Sequence, residues 1–227
     1  MHPCIAVCGR IVRVFDRKLG AWVTRHDANW DRDETLAKRV RETSYNVPPL
    51  SWFPVLGPGA SRLQVAQWGF PAPGRAGRVI NTRVETAATS PFWRSLVGRG
   101  NCVVPVTGFY EWEHSGPTPQ PHFVRRKDGD VMALAALAGL RDVDGGRRLV
   151  VSILTREPDS VVGRLHDRMP VVLEPGEVEA WVGGAGLDLV AGPRPALEAY
   201  PVSTAVNPAT AEGPQLIEPV PRQTRLV

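Results

Sequence analysis

The chain has 227 residues, enough to bury a core as one large domain or two small ones. Hydrophobic residues make up 43% and charged residues 22%, ordinary for a globular protein, and no apolar run approaches the ~20 residues of a membrane-spanning helix. The formal charge of +4, carried mostly by arginine, suits a nucleic-acid or phosphate partner without requiring one.

In chain order, residues 1–7 lack a basic segment followed by an apolar stretch, so they do not read as a signal peptide. Cys4 and Cys8 have no downstream Cys/His pair at zinc spacing, so neither a metal nor another cofactor is expected. With Cys102 they make three cysteines, too few for a disulfide framework and consistent with a reducing, cytoplasmic compartment. Alternating apolar residues predict strands over 9–14, 62–68, 102–106, 109–113, 131–136 and 149–154. Asp31 with Glu34 resembles a capping box opening a helix that runs to about Glu42. Ser90-Pro91 opens another helix through Val97, with proline at the first helical position. Pro158 and Pro175 open short helices on either side of a strand near 169–173. Residues 183–195 read as a surface loop and 218–227 as a frayed tail. The 22 glycines and 22 prolines break the chain into many short elements, as in a strand-rich α+β domain.

Four segments carry polar residues that a packed core does not require. They are Cys8-Gly9-Arg10, Asn81 to Thr86, Gly108 to Trp112, and Leu165 to Pro170. Each alone has a plain structural reading. Cys8 fits a small buried hydrophobe, Asn81 a turn former and Glu111 a solvent-facing strand position. His166 fits an ordinary charged loop.

Together they resemble one family, the SRAP domain of abasic-site processing proteins, first named SOS response-associated peptidases. Eight motifs stand in order. The first four are Cys8-Gly9-Arg10, Tyr45-Asn46-Val47-Pro48-Pro49, Trp68-Gly69-Phe70-Pro71 and the N-x-R-x-E-T run from Asn81 to Thr86. Cys102-Val103-Val104-Pro105, Gly108 to Trp112, His166-Asp167-Arg168-Met169-Pro170, and Val202-Ser203-Thr204 before Val206-Asn207 complete the set. The likeness runs over residues 7–220, with 1–7 as a leader, 8–220 as the domain and 221–227 as a tail. It implies a curved, largely antiparallel sheet or barrel-like core with a few short helices.

The resemblance also implies a chemistry. A cysteine at the N-terminus carries an amine and a thiol on adjacent carbons, and this aminothiol condenses with the ring-opened aldehyde of an abasic sugar to a thiazolidine. Cys8 takes that role, with Asn81, Glu111 and His166 as the catalytic residues around it. Arg10 and Arg83 are expected at the DNA phosphates, and Asn46 and Pro48 at the loop lining the DNA channel. Trp68 is expected either to stack on a base or to be a core residue. The implied partner is single-stranded DNA containing abasic sites, including single-strand/duplex junctions, bound by a monomer that is cytoplasmic and nucleoid-associated on DNA.

The family pattern begins Met-Cys-Gly-Arg, whereas Met1 to Val7 precede Cys8 here. An internal cysteine has an amide nitrogen, which is not nucleophilic. Three accounts follow: a true start at Val7 through a GTG codon, self-cleavage of the Val7-Cys8 bond, or a protein that binds DNA without crosslinking. Two functions of other classes stay open, a cysteine peptidase built on Cys8, Glu111 and His166, and a non-catalytic single-strand DNA binder.

Overall fold

The computed structural model describes residues 9–58, 62–71, 77–114 and 118–221. The chain runs through β1 (Ile11–Arg13), α1 (Arg17–His26), α2 (Glu34–Arg41), β2 (Ser44–Val47), β3 (Trp52–Leu56) and β4 (Leu63–Trp68). Next come β5 (Phe70–Pro71), β6 (Arg78–Val79), β7 (Asn81–Arg83), α3 (Val84–Thr89) and α4 (Pro91–Arg94). The long strands follow: β8 (Asn101–Val106), β9 (Gly108–Glu113), β10 (Gln120–Arg126), β11 (Met132–Val143) and β12 (Gly146–Arg156). Finally β13 (Met169–Pro170), β14 (Val172–Leu173), α5 (Val178–Val182) and β15 (Leu197–Pro201) close the fold.

The architecture is α+β and strand-rich. Strands β12, β4, β3, β8 and β11 are linked in that order, and β11 pairs back to β12, closing a five-stranded barrel-like core. A second, wholly antiparallel sheet has the order β15-β10-β9-β1-β2. Beyond Ile153, β11 and β12 part, and residues 169–173 enter between them. Met169 and Pro170 pair with β12, Val172 and Leu173 with β11. The single strand expected there is therefore two, divided at Val171, because its two ends find different partners.

Alternation sorts the core into layers. Along β11, Met132, Leu134, Ala136 and Ala138 join the cluster that also holds Ile11, Phe109 and Val124 of the second sheet. Ala133, Ala135 and Leu137 instead face Leu19, Val23, Val40 and Trp181 of the helices. Both faces of β11 are covered, which is why its sequence is apolar almost without interruption. A third cluster, with Val12, Tyr110 and Phe123, packs the outer face of the second sheet against Val202, Val206 and Leu216.

Several sequence expectations move. The cap of α2 is Asp33, whose carboxylate accepts from the Thr35 and Leu36 amides, not Asp31. Helix α4 stops after four residues, and the segment after Pro158 forms only a 3-10 turn at Val162–Arg164. The loop 183–195 contains the turn Leu187–Val190 and buries Val190, because the helix-side core draws it in. The start of the tail is held as well: Pro219 bridges Val202 and the Val220 amide donates to Pro201 O at 2.9 Å. Residues 222–227 lie outside the described residues.

Two buried basic side chains tie the helices to this frame. Arg13 donates to Val40 O (2.6 Å), Glu42 O (2.8 Å) and Arg39 O (3.3 Å), satisfying the carbonyl end of α2. Burial lowers its pKa to about 10, with Glu42 opposing the shift. His26 joins α1 to α5 through Nδ1 at 3.0 Å from Glu179 Oε1, with its ring against Trp22.

Burial holds the His26 pKa below the ordinary histidine value, although Glu179 pulls it upward. The unfolded chain therefore takes up the proton first as pH falls. The stability from a neutral, buried His26 is complete above about pH 6.5 and declines as pH drops toward the folded value. Urea midpoints at pH 7.5 and 5.5 are expected to differ more for the wild type than for His26→Gln. Equal slopes would remove His26 from the account of acid sensitivity.

Candidate functional site

An open cleft of about 460 Å³ lies at one end of the second sheet. Gly9 and Arg10 enter it just before β1, and Trp112 and His114 at the end of β9. Pro49, Ile80, Pro119 and Asn207 bring four further segments to its wall. Five of the eight sequence motifs or their immediate neighbours therefore meet in one place.

The outer face of the sheet carries a polar network centred on Asn46, which is wholly buried. Its Oδ1 accepts from Arg10 Nη1 at 3.0 Å, and its Nδ2 donates to Val206 O (3.1 Å) and Pro208 O (2.9 Å). Arg10 also reaches Val206 O (3.5 Å) and Asn207 O (3.4 Å), while Trp112 Nε1 donates to Asn207 Oδ1 at 2.9 Å. Arg10 is thus held in one orientation at the cleft, and partial burial lowers its pKa. Guanidinium starts so far above neutrality that it stays cationic. Asn46 is wholly buried and holds Arg10, and Pro49, next to Pro48, lines the cleft. Leu50 follows at φ 69°, an uncommon conformation for a branched side chain, with its amide donating to Trp68 O at 2.9 Å.

The inner face carries Glu111. By strand alternation it shares the side of β9 with Phe109, which lies in the cluster between sheet and barrel, and it is only 2% exposed. Glu111 therefore faces the interior rather than solvent. Gly108, two residues before Tyr110, is required by close approach: a Cβ there would lie 2.5 Å from Val124 O and from the Phe123 ring.

Asn81 opens β7, in parallel register with Ile153 of β12, and Ile80 before it packs on the same inner cluster. His166 follows the turn Val162–Arg164, and Leu165 beside it packs there too. Nδ1 of His166 lies 3.1 Å from the Arg168 amide and 2.8 Å from Asp167 Oδ1. These contacts ask for opposite proton positions, a lone pair for the amide and a proton for the carboxylate. The amide is fixed by the backbone, while Asp167 is 81% exposed.

A clamp not foreseen from the sequence joins two of the motifs. Arg168 donates through Nη1 and Nη2 to Glu85 Oε1 (3.1 Å) and Oε2 (2.8 Å), and through Nη2 to Thr155 O (2.8 Å). This forked pairing draws the His166 loop onto the helix start beside Arg83, and it lowers the Glu85 pKa. The only signal for it was that Glu85 and Arg168 both stood inside motifs.

The structure also corrects Trp68. Its ring is wholly buried, edge-on to Phe53, with Nε1 donating to Ile80 O at 2.9 Å, so it offers no face to a base. Of the two readings weighed, the core one holds. Arg83 is exposed at the end of β7. Cys8 lies outside the described residues; its covalent neighbour Gly9 lines the cleft.

Residues 7–209 match the family described as SOS response associated peptidase (SRAP). The chain is similar to the abasic site processing protein YedK of Escherichia coli, 30% identical over 79% of this chain and 90% of that one. It is likewise similar to the abasic site processing protein YobE of Bacillus subtilis, 30% identical over 82% and 90%. A Saccharomyces cerevisiae abasic site processing protein is 28% identical over 86% of this chain, which spans 58% of that longer protein. Among solved structures, a Bacteroides thetaiotaomicron protein shares the fold with a TM-score of 0.77 at 20% identity, covering 92% of this chain and 99% of its own. A phage-related protein of Bordetella bronchiseptica has a TM-score of 0.65 at 26% identity, over 87% and 95%.

Proposed function

The chain belongs to the SOS response associated peptidase (SRAP) family, and on that footing we propose that it processes abasic sites in DNA by covalent capture. The observation that carries the reading is that Gly9, bonded to Cys8, lines an open cleft beside Arg10. The residues next to Asn81 and Glu111 stand on the walls of that cleft.

The proposed sequence balances without a cofactor. The α-amine of Cys8, with an ordinary pKa of about 7.7–8.0, is partly neutral near pH 7 and attacks the aldehyde carbon of the ring-opened sugar. The carbinolamine loses water to give an imine. The Cys8 thiolate adds to the imine carbon, the nitrogen takes a proton, and a five-membered thiazolidine closes.

Glu111 exchanges protons at the amine and His166 at the sugar ring oxygen, while Asn81, which does not titrate, orients the aminothiol or the sugar. Arg10 and Arg83 lie beside the phosphates flanking the lesion. Single-stranded DNA, alone or at a junction with duplex, is the substrate, since no base pair needs breaking for the sugar to enter. In this reading the protein shields lesions in the DNA damage response, and the reacting form begins at Cys8.

The deciding experiment has two steps. The intact mass of protein expressed from its own gene and upstream region is measured, then the same protein is incubated with an abasic single-stranded oligonucleotide. The expected result is a mass beginning at Cys8 and an adduct one oligonucleotide heavier, less one water. A mass that retains Met1 to Val7, with salt-sensitive binding indifferent to the lesion, would leave only non-covalent DNA binding.

A further inference from the structure

We infer that Asn207 is a DNA-contact residue whose side-chain amide shares with Arg10 one phosphodiester beside the lesion; the inference rests on the function proposed above. Asn207 closes the last of the eight sequence motifs, to which the chemistry at Cys8 gives no role. It follows the 3-10 turn Thr204–Val206, and its own amide donates to Thr204 O at 3.0 Å. Asn46 holds the carbonyls on either side of it, those of Val206 and Pro208. The buried Val206 side chain anchors the same segment in the outer-face cluster. Asn207 itself is exposed and lines the open cleft.

The Asn207 side chain has one orientation. An indole N–H only donates, so the 2.9 Å contact with Trp112 Nε1 assigns Oδ1 to the indole and leaves Nδ2 at the other end. Trp112 is held in turn, opposite Pro121 in the β9–β10 ladder and with its ring against Tyr110. Among the described residues, Nδ2 of Asn207 has no acceptor.

Arg10 is in a similar state. Three of its five N–H groups face Asn46 Oδ1, Val206 O and Asn207 O. Its Nε–H and one Nη2–H are left without an acceptor among the described residues. The acceptors of this corner are thus engaged, while donors from two side chains remain open. No carboxylate stands among the described residues that line the cleft. Such a corner selects a group that only accepts. The phosphodiester of DNA is acceptor-only and anionic, whereas the pairing edge of every base carries donors as well. Arg10 is held by the main-chain carbonyl of Asn207, so changing the Asn207 side chain leaves that contact in place.

The test measures binding to a single-stranded oligonucleotide carrying a tetrahydrofuran analogue of the lesion, which has no aldehyde and forms no adduct. Fluorescence anisotropy compares wild type, Asn207→Ala and Asn207→Asp at one fixed salt concentration. Asn207→Ala is expected to bind about tenfold more weakly, the effect of one hydrogen bond to a charged group. Asn207→Asp is expected to bind at least as weakly, although its carboxylate still accepts from Trp112 and its thermal midpoint should match wild type. Single methylphosphonate linkages, which lack the charge and one acceptor oxygen, are then placed in turn on each side of the lesion. The gap between wild type and Asn207→Ala should close at one linkage and persist at the others. Wild-type affinity in Asn207→Asp would reduce Asn207 to a support for Trp112 and overturn the inference, as would a gap that persists at every linkage. If wild type binds this oligonucleotide but forms no adduct with a true abasic site, the covalent chemistry fails and the gap still decides the role of Asn207. A wild type that binds no DNA overturns both.

Discussion

Protein beginning at Cys8 is expected to form an adduct with abasic single-stranded DNA that survives boiling in detergent, and Cys8→Ala is expected to form none. The Ala variant still carries a terminal α-amine one residue before Gly9, so it should condense with the aldehyde as far as the imine. Borohydride should trap that imine and produce a band that is absent without reductant. What the variant lacks is the thiolate, whose capture of the imine is intramolecular and acts at an effective concentration of roughly 10⁵ M or more. A protein retaining Val7 should give neither band, because its Cys8 nitrogen is an amide. The three proteins run on one denaturing gel, with and without borohydride, separate thiazolidine, imine and plain binding. A stable, reductant-independent adduct from Cys8→Ala would move the nucleophile to another residue.

Trp68→Ala is expected to destabilise the fold by about 3–5 kcal/mol, a large part of the 5–15 kcal/mol typical of a domain. The indole is fully enclosed beside Phe53, and truncation leaves a cavity in the cluster that joins barrel and sheet. It also removes the hydrogen bond to Ile80 O, the residue that leads into Asn81. Trp68→Phe keeps most of the apolar volume and loses the bond, so its cost should be smaller. A urea titration measures the stability of both variants, and anisotropy with a labelled oligonucleotide measures affinity. Trp68→Phe at full occupancy of the folded state should bind single-stranded DNA as tightly as wild type. Weakened affinity without lost stability would restore the base-stacking role that burial denies.

The central strands β8, β11 and β12 were legible because burial on one or both faces leaves a pattern of apolar residues within the strand itself. Strands β2, β3, β10 and β15 were not foreseen. Pro54 interrupts β3, Pro121 follows the first residue of β10 and Pro201 ends β15, so each reads as broken chain. Their partners come from distant sequence, as when residues 122–126 pair with 197–201. Helix α1 was missed for a related reason: only Leu19, Val23 and His26 are buried on it, and its stripe becomes visible once a barrel stands behind it.

The candidate site divides along the same line. By itself the sequence determined the family, the aminothiol chemistry open to a terminal Cys8, and the set of polar residues that stand in ordered motifs. Those are properties of residue type and order, and they do not depend on where the chain later goes. Only the tertiary structure decided that Trp68 is core, that Asn46 holds Arg10, and that Glu111 points inward across from His122. It alone joined Arg168 to Glu85 across 83 positions. Such pairings depend on strand register and on which face of a strand is covered. A shift of one residue would turn Glu111 to the other side of the sheet, and no local pattern around it specifies that choice.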